Sequence, residues 1–141
     1  MYEFHKDTEW YYEMQTLNAE KNVIPFIEKG LQLFDGLKIL EVGCAEGGVI
    51  KAFVKRGCEG VGVELSEYRL KKALDLNKSF VEENRLRLIA KNIYDPSFSE
   101  EFESQFDLIV LKDVIEHIFD QDKLMVELKR FLKPGGHIFF G

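Results

Sequence analysis

Glu41, Gly43, Ala45 and Gly47 stand at alternate positions in the stretch Lys38-Ile39-Leu40-Glu41-Val42-Gly43-Cys44-Ala45-Glu46-Gly47-Gly48, and a second acid, Glu64, follows Gly43 by 21 residues. Small residues in a turn let a ligand approach the backbone, and the N–H groups at the start of a following helix favour an anionic group. An acid about twenty residues beyond such a turn suits a ribose, because one carboxylate accepts hydrogen bonds from both hydroxyls. The third chemical cluster is Asp113-x-x-Glu116-His117. An imidazole titrates near neutrality, so His117 is a candidate general base. It also fits a plainer part, shaping the turn with Glu116, and at each strand end the bland alternative is a solvated acid.

The elements that must hold these groups are legible as periodicity. Ile39, Leu40 and Val42 form a short apolar run suited to a buried strand. Behind the small residues, Ile50, Phe53 and Val54 fall on one helical stripe, with Lys51, Lys55 and Arg56 off it and Gly57 as the stop. Gly60–Leu65 reads as a second strand ending in Glu64; Ser66 then caps a helix with Leu70, Ala73, Leu74 and Leu76 on its buried side. Arg87–Ala90 reads as a third strand and Phe106–Leu111 as a fourth, with a polar loop and a short helical turn from Pro96 to Gln105 between them. Asp120 or Asp122 opens a helix burying Leu124, Met125, Leu128, Phe131 and Leu132; Lys133-Pro134-Gly135-Gly136 ends it, and His137–Phe140 begins a fifth strand.

Strand–loop–helix units in this order predict a parallel sheet with helices on both faces and a ligand crevice at the strand C-terminal ends. Ahead of it, residues 1–36 read as a helical segment. Asp7 or Thr8 would cap a helix from Glu9, and a second stretch, about Ala19 to Phe34, contains Pro25 as a start or a kink. This segment either packs on the sheet or forms a lid placing Trp10, Tyr11 or Tyr12 beside the substrate. Residues 37–141 form the ligand-binding domain.

A glycine turn alone has two owners. Dinucleotide-binding domains use three glycines at G-x-G-x-x-G, a spacing this chain lacks. The loop Glu41-x-Gly43-x-Ala45-x-Gly47 instead resembles the E/D-x-G-x-G-x-G loop of class I S-adenosylmethionine-dependent methyltransferases, with Ala45 for the middle glycine. That methyl group fits where the turn needs no positive φ. The resemblance continues through Phe106-Asp107-Leu108-Ile109 with the Glu116-His117 pair, and through Leu132-Lys133-Pro134-Gly135-Gly136 before a strand, so it covers Leu37 to Gly141. It implies a Rossmann-like doubly wound sheet of order 3-2-1-4-5, with the last two strands of the family's seven absent from this stretch. It also implies S-adenosylmethionine as cofactor, S-adenosylhomocysteine as product, and methyl transfer to an O, N or C nucleophile of a small molecule.

By the same resemblance Glu41, Gly43, Cys44, Ala45 and Gly47 form the cofactor loop and Glu64 holds the ribose. Leu65 packs on the adenine, Asn92 takes the place of the family's Asp at the adenine amino group with the Ile93 amide as a second contact, and Lys112 and Asp113 lie beside the methionine end. Asp113-x-x-Glu116-His117 is also similar to the acid-x-x-E-H motif of some metal-dependent O-methyltransferases, where such a set holds a divalent ion. A chain ending in its fifth strand is expected to be part of a longer enzyme, or to pair its open sheet edge with a second copy. A cofactor-binding scaffold acting through a partner is the competing class of function; a nicotinamide dehydrogenase is a third, disfavoured by the glycine spacing.

Composition narrows the rest. With 45% hydrophobic and 31% charged residues, 141 residues make one domain of ordinary soluble character. A net charge of −6 without a basic block gives no support to DNA binding, and RNA is left open. No apolar run is long enough to span a membrane. Cys44 and Cys58 sit in no metal or disulfide spacing and are expected as reduced thiols in the cytoplasm.

Overall fold

The computed structural model describes residues 2–112, 114 and 118–141, with side chains from residue 7 onward. Five strands, β1 (Lys38–Val42), β2 (Glu59–Val63), β3 (Leu86–Ile89), β4 (Phe106–Leu111) and β5 (Leu132–Phe140), pair in the order β3-β2-β1-β4-β5, all parallel. This is the expected Rossmann-like arrangement. Successive side chains of a strand point to opposite faces, and both faces here are covered. Ile39, Leu108 and Val110 pack into one core with α3 (Gly48–Lys55) and the N-terminal helices. Their neighbours Leu40, Ile109 and Leu111 join the other core, with α6 (Pro96–Phe102) and α7 (Gln121–Phe131). In that second core Phe98 meets Phe131 edge to face at 5.0 Å, each ring fully buried and contributing about 2–3 kcal/mol by burial.

Several local expectations are corrected. The N-terminal helix α1 (Tyr2–Asn18) begins well before Glu9, and Asp7 and Thr8 are interior to it. Nothing from Tyr2 to Glu9 is a glycine or proline, so nothing forces a later start. The chain then widens into one π-helical turn, Ala19–Val23, in which the Ile24 amide donates to Ala19 O. It continues as α2 (Ile24–Ile27), with Pro25 in its first turn. The widened turn accommodates the proline without breaking the run. The helix ends at Ile27 and does not reach Phe34.

Pro96 to Gln105 is not mainly loop. Asp95 caps α6 by accepting from the Ser97 amide, Pro96 occupies its first turn, and Phe98 and Phe102 are buried. After Ser66, whose side chain accepts from the Arg69 amide, α4 (Glu67–Leu76) buries Leu70 and Ala73 but leaves Leu74 40% exposed. A short α5 (Lys78–Glu82) follows. Asp120 caps α7 by accepting from the Lys123 amide at 2.9 Å.

Leu132 to Gly136 is also not a plain turn. Leu132 already pairs with Phe106, and the ladder resumes at His137 opposite Leu108, so residues 133–136 bulge out opposite Asp107. As β5 is an edge strand of this sheet, Pro134 costs no ladder bond on its open side. Asp107 fastens the bulge: Oδ2 accepts from the Lys38 amide at 2.9 Å and from Lys133 Nζ at 3.3 Å.

Candidate functional site

The C-terminal ends of β1, β2 and β4 open onto a cavity of about 530 Å³, lined among others by Glu41, Gly43, Cys44, Ala45, Glu64 and Lys112. A smaller, more apolar cavity of about 220 Å³ lies beside it, lined by Leu65, Asn92, Ile93 and Tyr94. Both include Gly43, Glu64 and Val114, so they form two lobes joined at a waist. Another cavity, of about 430 Å³, opens at the opposite ends of the strands, around Lys38, Glu59, Leu86 and Phe106. It is lined by none of the candidate cofactor-site residues.

The loop between β1 and α3 is held by its own backbone. The amides of Gly43 and Cys44 both donate to Val63 O, at 2.9 and 3.0 Å, and that of Gly47 to Cys44 O at 2.8 Å. The Ala45 amide donates to Glu64 Oε1 at 2.8 Å. These four amides, ahead of the helix start, are therefore taken up within the protein. Ala45 itself has φ +50°, in the left-handed region. The turn does require a positive φ there, contrary to expectation, and the methyl group is held under strain. Gly47, at φ +83°, has no such latitude: a Cβ would lie 2.7 Å from Asn77 Nδ2.

Glu64 spans the waist. Besides Ala45, it accepts from the Ser66 amide through Oε2 at 3.0 Å. Two of its roughly four acceptor directions are thus used and two remain. Asn92 Oδ1 accepts from the Tyr94 amide at 2.9 Å, again with a lone pair to spare. Leu65 is 68% exposed on the rim, while Ile93 is buried.

Glu41 is the unusual member. Its side chain is 2% exposed, and Oε1 has no hydrogen-bond partner. Burial pushes its carboxyl well above the usual range; the Ile50 amide at the start of α3 and Lys112 draw it down, while Glu64 adds to the rise. The acceptor at that helix start is therefore one of the protein's own side chains. Burial and the neighbouring carboxylates likewise push the Cys44 thiol up, and burial pushes Cys58 up to about 11. Neither thiol is prepared for nucleophilic work.

Helix α1 closes the larger lobe through Tyr11, Met14, Gln15 and Asn18. It is fastened at the C-terminal end of the glycine turn. Thr16 Oγ1 donates to Gly48 O at 2.8 Å, and Tyr12 Oη donates to Asn77 Oδ1 at 2.7 Å. Asn77 Nδ2 in turn donates to Glu46 O at 3.2 Å. Tyr12 is therefore part of the fastening and not of the cavity wall; Tyr11 faces the cavity, with Trp10 edge-on to it at 5.2 Å. Arg69 holds the Glu46 carboxylate through two hydrogen bonds, of 3.1 and 3.4 Å. Gln15, Arg69 and Asn77 were not singled out in the sequence, where each is one polar residue among many on or beside a helix.

Asp113, Glu116 and His117, the candidate base and metal set, lie outside the described residues. Among the described residues no cluster of three His, Cys, Asp or Glu side chains is placed to hold a metal ion, and no helix is long and apolar enough to cross a membrane.

Comparison with known proteins agrees with this geometry. A family described as a methyltransferase domain matches residues 13–141. The ubiquinone biosynthesis O-methyltransferase of Leptothrix cholodnii is 29% identical over 114 residues, 81% of this chain and 47% of that protein. The chain thus spans about half the length of the curated relatives it matches. A solved protein from Methanococcus maripaludis superposes with a TM-score of 0.79 over 96% of this chain and 61% of its own, at 17% identity, a likeness of fold alone. Phosphoethanolamine N-methyltransferase 2 of Haemonchus contortus, solved with S-adenosylhomocysteine, reaches a TM-score of 0.70 at 28% identity over 82% of this chain and 26% of its own. By the match over residues 13–141, this chain belongs to the methyltransferase-domain family.

Proposed function

We propose that the two-lobed cavity holds S-adenosylmethionine and that the protein takes part in methyl transfer to an O, N or C nucleophile of a small molecule. The observation that carries this reading is the contrast at the glycine loop. Four of its amides, those of Gly43, Cys44, Ala45 and Gly47, are spent within the protein, while the buried Glu41 Oε1 lacks a donor. A pyrophosphate would want the reverse, free amides and no carboxylate. A cofactor with an ammonium and a sulfonium, and no phosphate, suits what is present.

In this reading the smaller lobe takes the adenine between Leu65 and Ile93, with Asn92 Oδ1 and the Ile93 amide at its polar edge. Glu64 accepts from the ribose hydroxyls at the waist. Gly43, Cys44, Ala45 and Gly47 allow close approach of the backbone. Glu41, Lys112 and Asp113 attend the methionine end. When bound, S-adenosylmethionine supplies a methyl group on a positively charged sulfur and leaves as S-adenosylhomocysteine. The chain's own part is alignment and exclusion of water, with residues 1–36 covering the site on residues 37–141. His117 is the proposed base that takes the acceptor's proton; a metal held with Asp113 and Glu116 is the rarer arrangement of the same residues. The buried, unpaired Cys44 and Cys58 suit a reducing cytoplasm, and the open edge of β5 is where a second copy would pair.

Calorimetric titration with S-adenosylmethionine, S-adenosylhomocysteine and NAD tests the cofactor. Micromolar binding of the first two and none of NAD is expected; NAD binding, or no binding of either adenosyl ligand by the folded protein, would overturn it. For the base, His117→Ala should lower turnover on a panel of phenolic and amine acceptors while leaving S-adenosylhomocysteine affinity within twofold.

A further inference from the structure

Gln15 carries the second orphaned oxygen. Among the described residues only two buried side-chain polar atoms lack a hydrogen-bond partner, Glu41 Oε1 and Gln15 Oε1, and both residues line the same lobe. They come from different elements. Glu41 is on the central strand β1, while Gln15 reaches down from α1 and packs against Gly48, where a Cβ would come within 2.6 Å of its own Cβ and of Tyr12 O. A buried acceptor without a donor destabilises the fold. Two in one lobe, 26 residues apart in sequence, suggest a common donor-rich ligand group supplied from outside the chain.

Resting on the S-adenosylmethionine reading above, we propose that Gln15 is a cofactor-binding residue that receives the amino-acid head of the cofactor opposite Glu41. The head is zwitterionic. Its ammonium offers three N–H donors, enough for Glu41 and the Gln15 carbonyl together, and the Gln15 amide nitrogen can donate to the carboxylate. The larger lobe is the right one for it: the adenine-sized apolar lobe lies beyond Glu64, and the walls around Gln15 are polar, with Asn18, Glu41 and Lys112. Because Gln15 rides on α1, held by Thr16 and Tyr12, the proposal makes the N-terminal helix part of the cofactor site itself.

The test compares two ligands that differ only in the head. S-adenosylhomocysteine carries the amino acid; 5′-methylthioadenosine keeps the adenosine and the thioether without it. Gln15→Met, which preserves side-chain length and helix propensity, should weaken S-adenosylhomocysteine binding tenfold or more and leave 5′-methylthioadenosine within twofold. The ligand-free variant should melt no lower than the parent, since an orphaned acceptor has been removed. Gln15→Ala provides the same comparison should the methionine not fit. Unchanged S-adenosylhomocysteine affinity, an equal loss for both ligands, or a clear drop in ligand-free melting temperature would each overturn the assignment. If the parent protein binds neither ligand, the cofactor reading falls with it. If the parent binds and the variant keeps the same ratio, only the role of Gln15 falls.

Discussion

Replacing Glu41 with glutamine should strengthen the empty protein and weaken its grip on cofactor. The side chain is enclosed, its Oε1 has no donor, and burial is the chief cause of its raised pKa. Glu41→Gln keeps the shape and removes the ionisable group. Relief of a buried acid that lacks a partner is worth about 1–3 kcal/mol, or very roughly 3–10 °C in melting temperature for a chain of this size. The pH dependence fixes the sign. A carboxyl whose folded pKa is raised keeps its proton in the fold while the unfolded chain releases it. Stability therefore falls as pH rises from the ordinary glutamate value, near 4.5, up through the raised folded value. Parent and variant should melt together near pH 4 and separate as pH increases. Binding should run the other way. Losing a charge-assisted hydrogen bond of about 1.5–3 kcal/mol lowers S-adenosylhomocysteine affinity about 10- to 150-fold. In the parent, an arriving ammonium should also expel the Glu41 proton, so the calorimetric heat should vary with the ionisation enthalpy of the buffer, and in the variant it should not. A variant that melts lower at pH 7.5 and binds S-adenosylhomocysteine as the parent does would refute the reasoning.

The loop gives further tests. Ala45→Gly removes the cost of a left-handed alanine, about 1–2 kcal/mol, against a smaller entropic loss in the unfolded chain, and should raise the melting temperature by about 3 °C without changing cofactor affinity. Glu64→Ala deletes the acceptor of both the Ala45 and Ser66 amides, so thermal melts should show a loss of about 1–3 kcal/mol and titration at least a tenfold loss for S-adenosylhomocysteine. Gly48→Ala places a methyl group against Tyr12 O and should loosen α1 at a cost of about 1–3 kcal/mol, read as faster amide exchange in α1 than in α7.

What could be read in advance was whatever repeats locally. Apolar runs such as Ile39–Leu40 and Phe106–Leu111 mark buried strands because both sheet faces are covered, and the small residues after the first run mark its sharp turn. Glu64 and Asn92 fall at strand ends because chain distance in these units tracks position on the sheet. The failures share a cause, a local signal overruled by a distant neighbour. Phe98 and Phe102 sit four apart among acids and read as loop until Phe131 and Phe106 give them a core. Leu132 seemed to end a helix, but Phe106 recruits it into the sheet. Tyr12 was open to either packing or a substrate-facing place, and its partner is Asn77, 65 positions away. The left-handed Ala45 has no signal in its own identity, only in its place at the middle glycine of the motif it resembles.

The internal bonding of the glycine loop has a kinetic side. Four amides already committed to Val63, Cys44 and Glu64 mean that the loop has lost its freedom during folding and has little left to lose when a ligand arrives. Such a preorganised wall adds affinity without adding contacts. Another wall is α1, fastened to Gly48 just after the loop by Thr16 and to Asn77 beside it by Tyr12. Entry and exit should therefore be timed by the helix and not by the loop, so that changes in α1 alter residence time while changes in the turn alter fit.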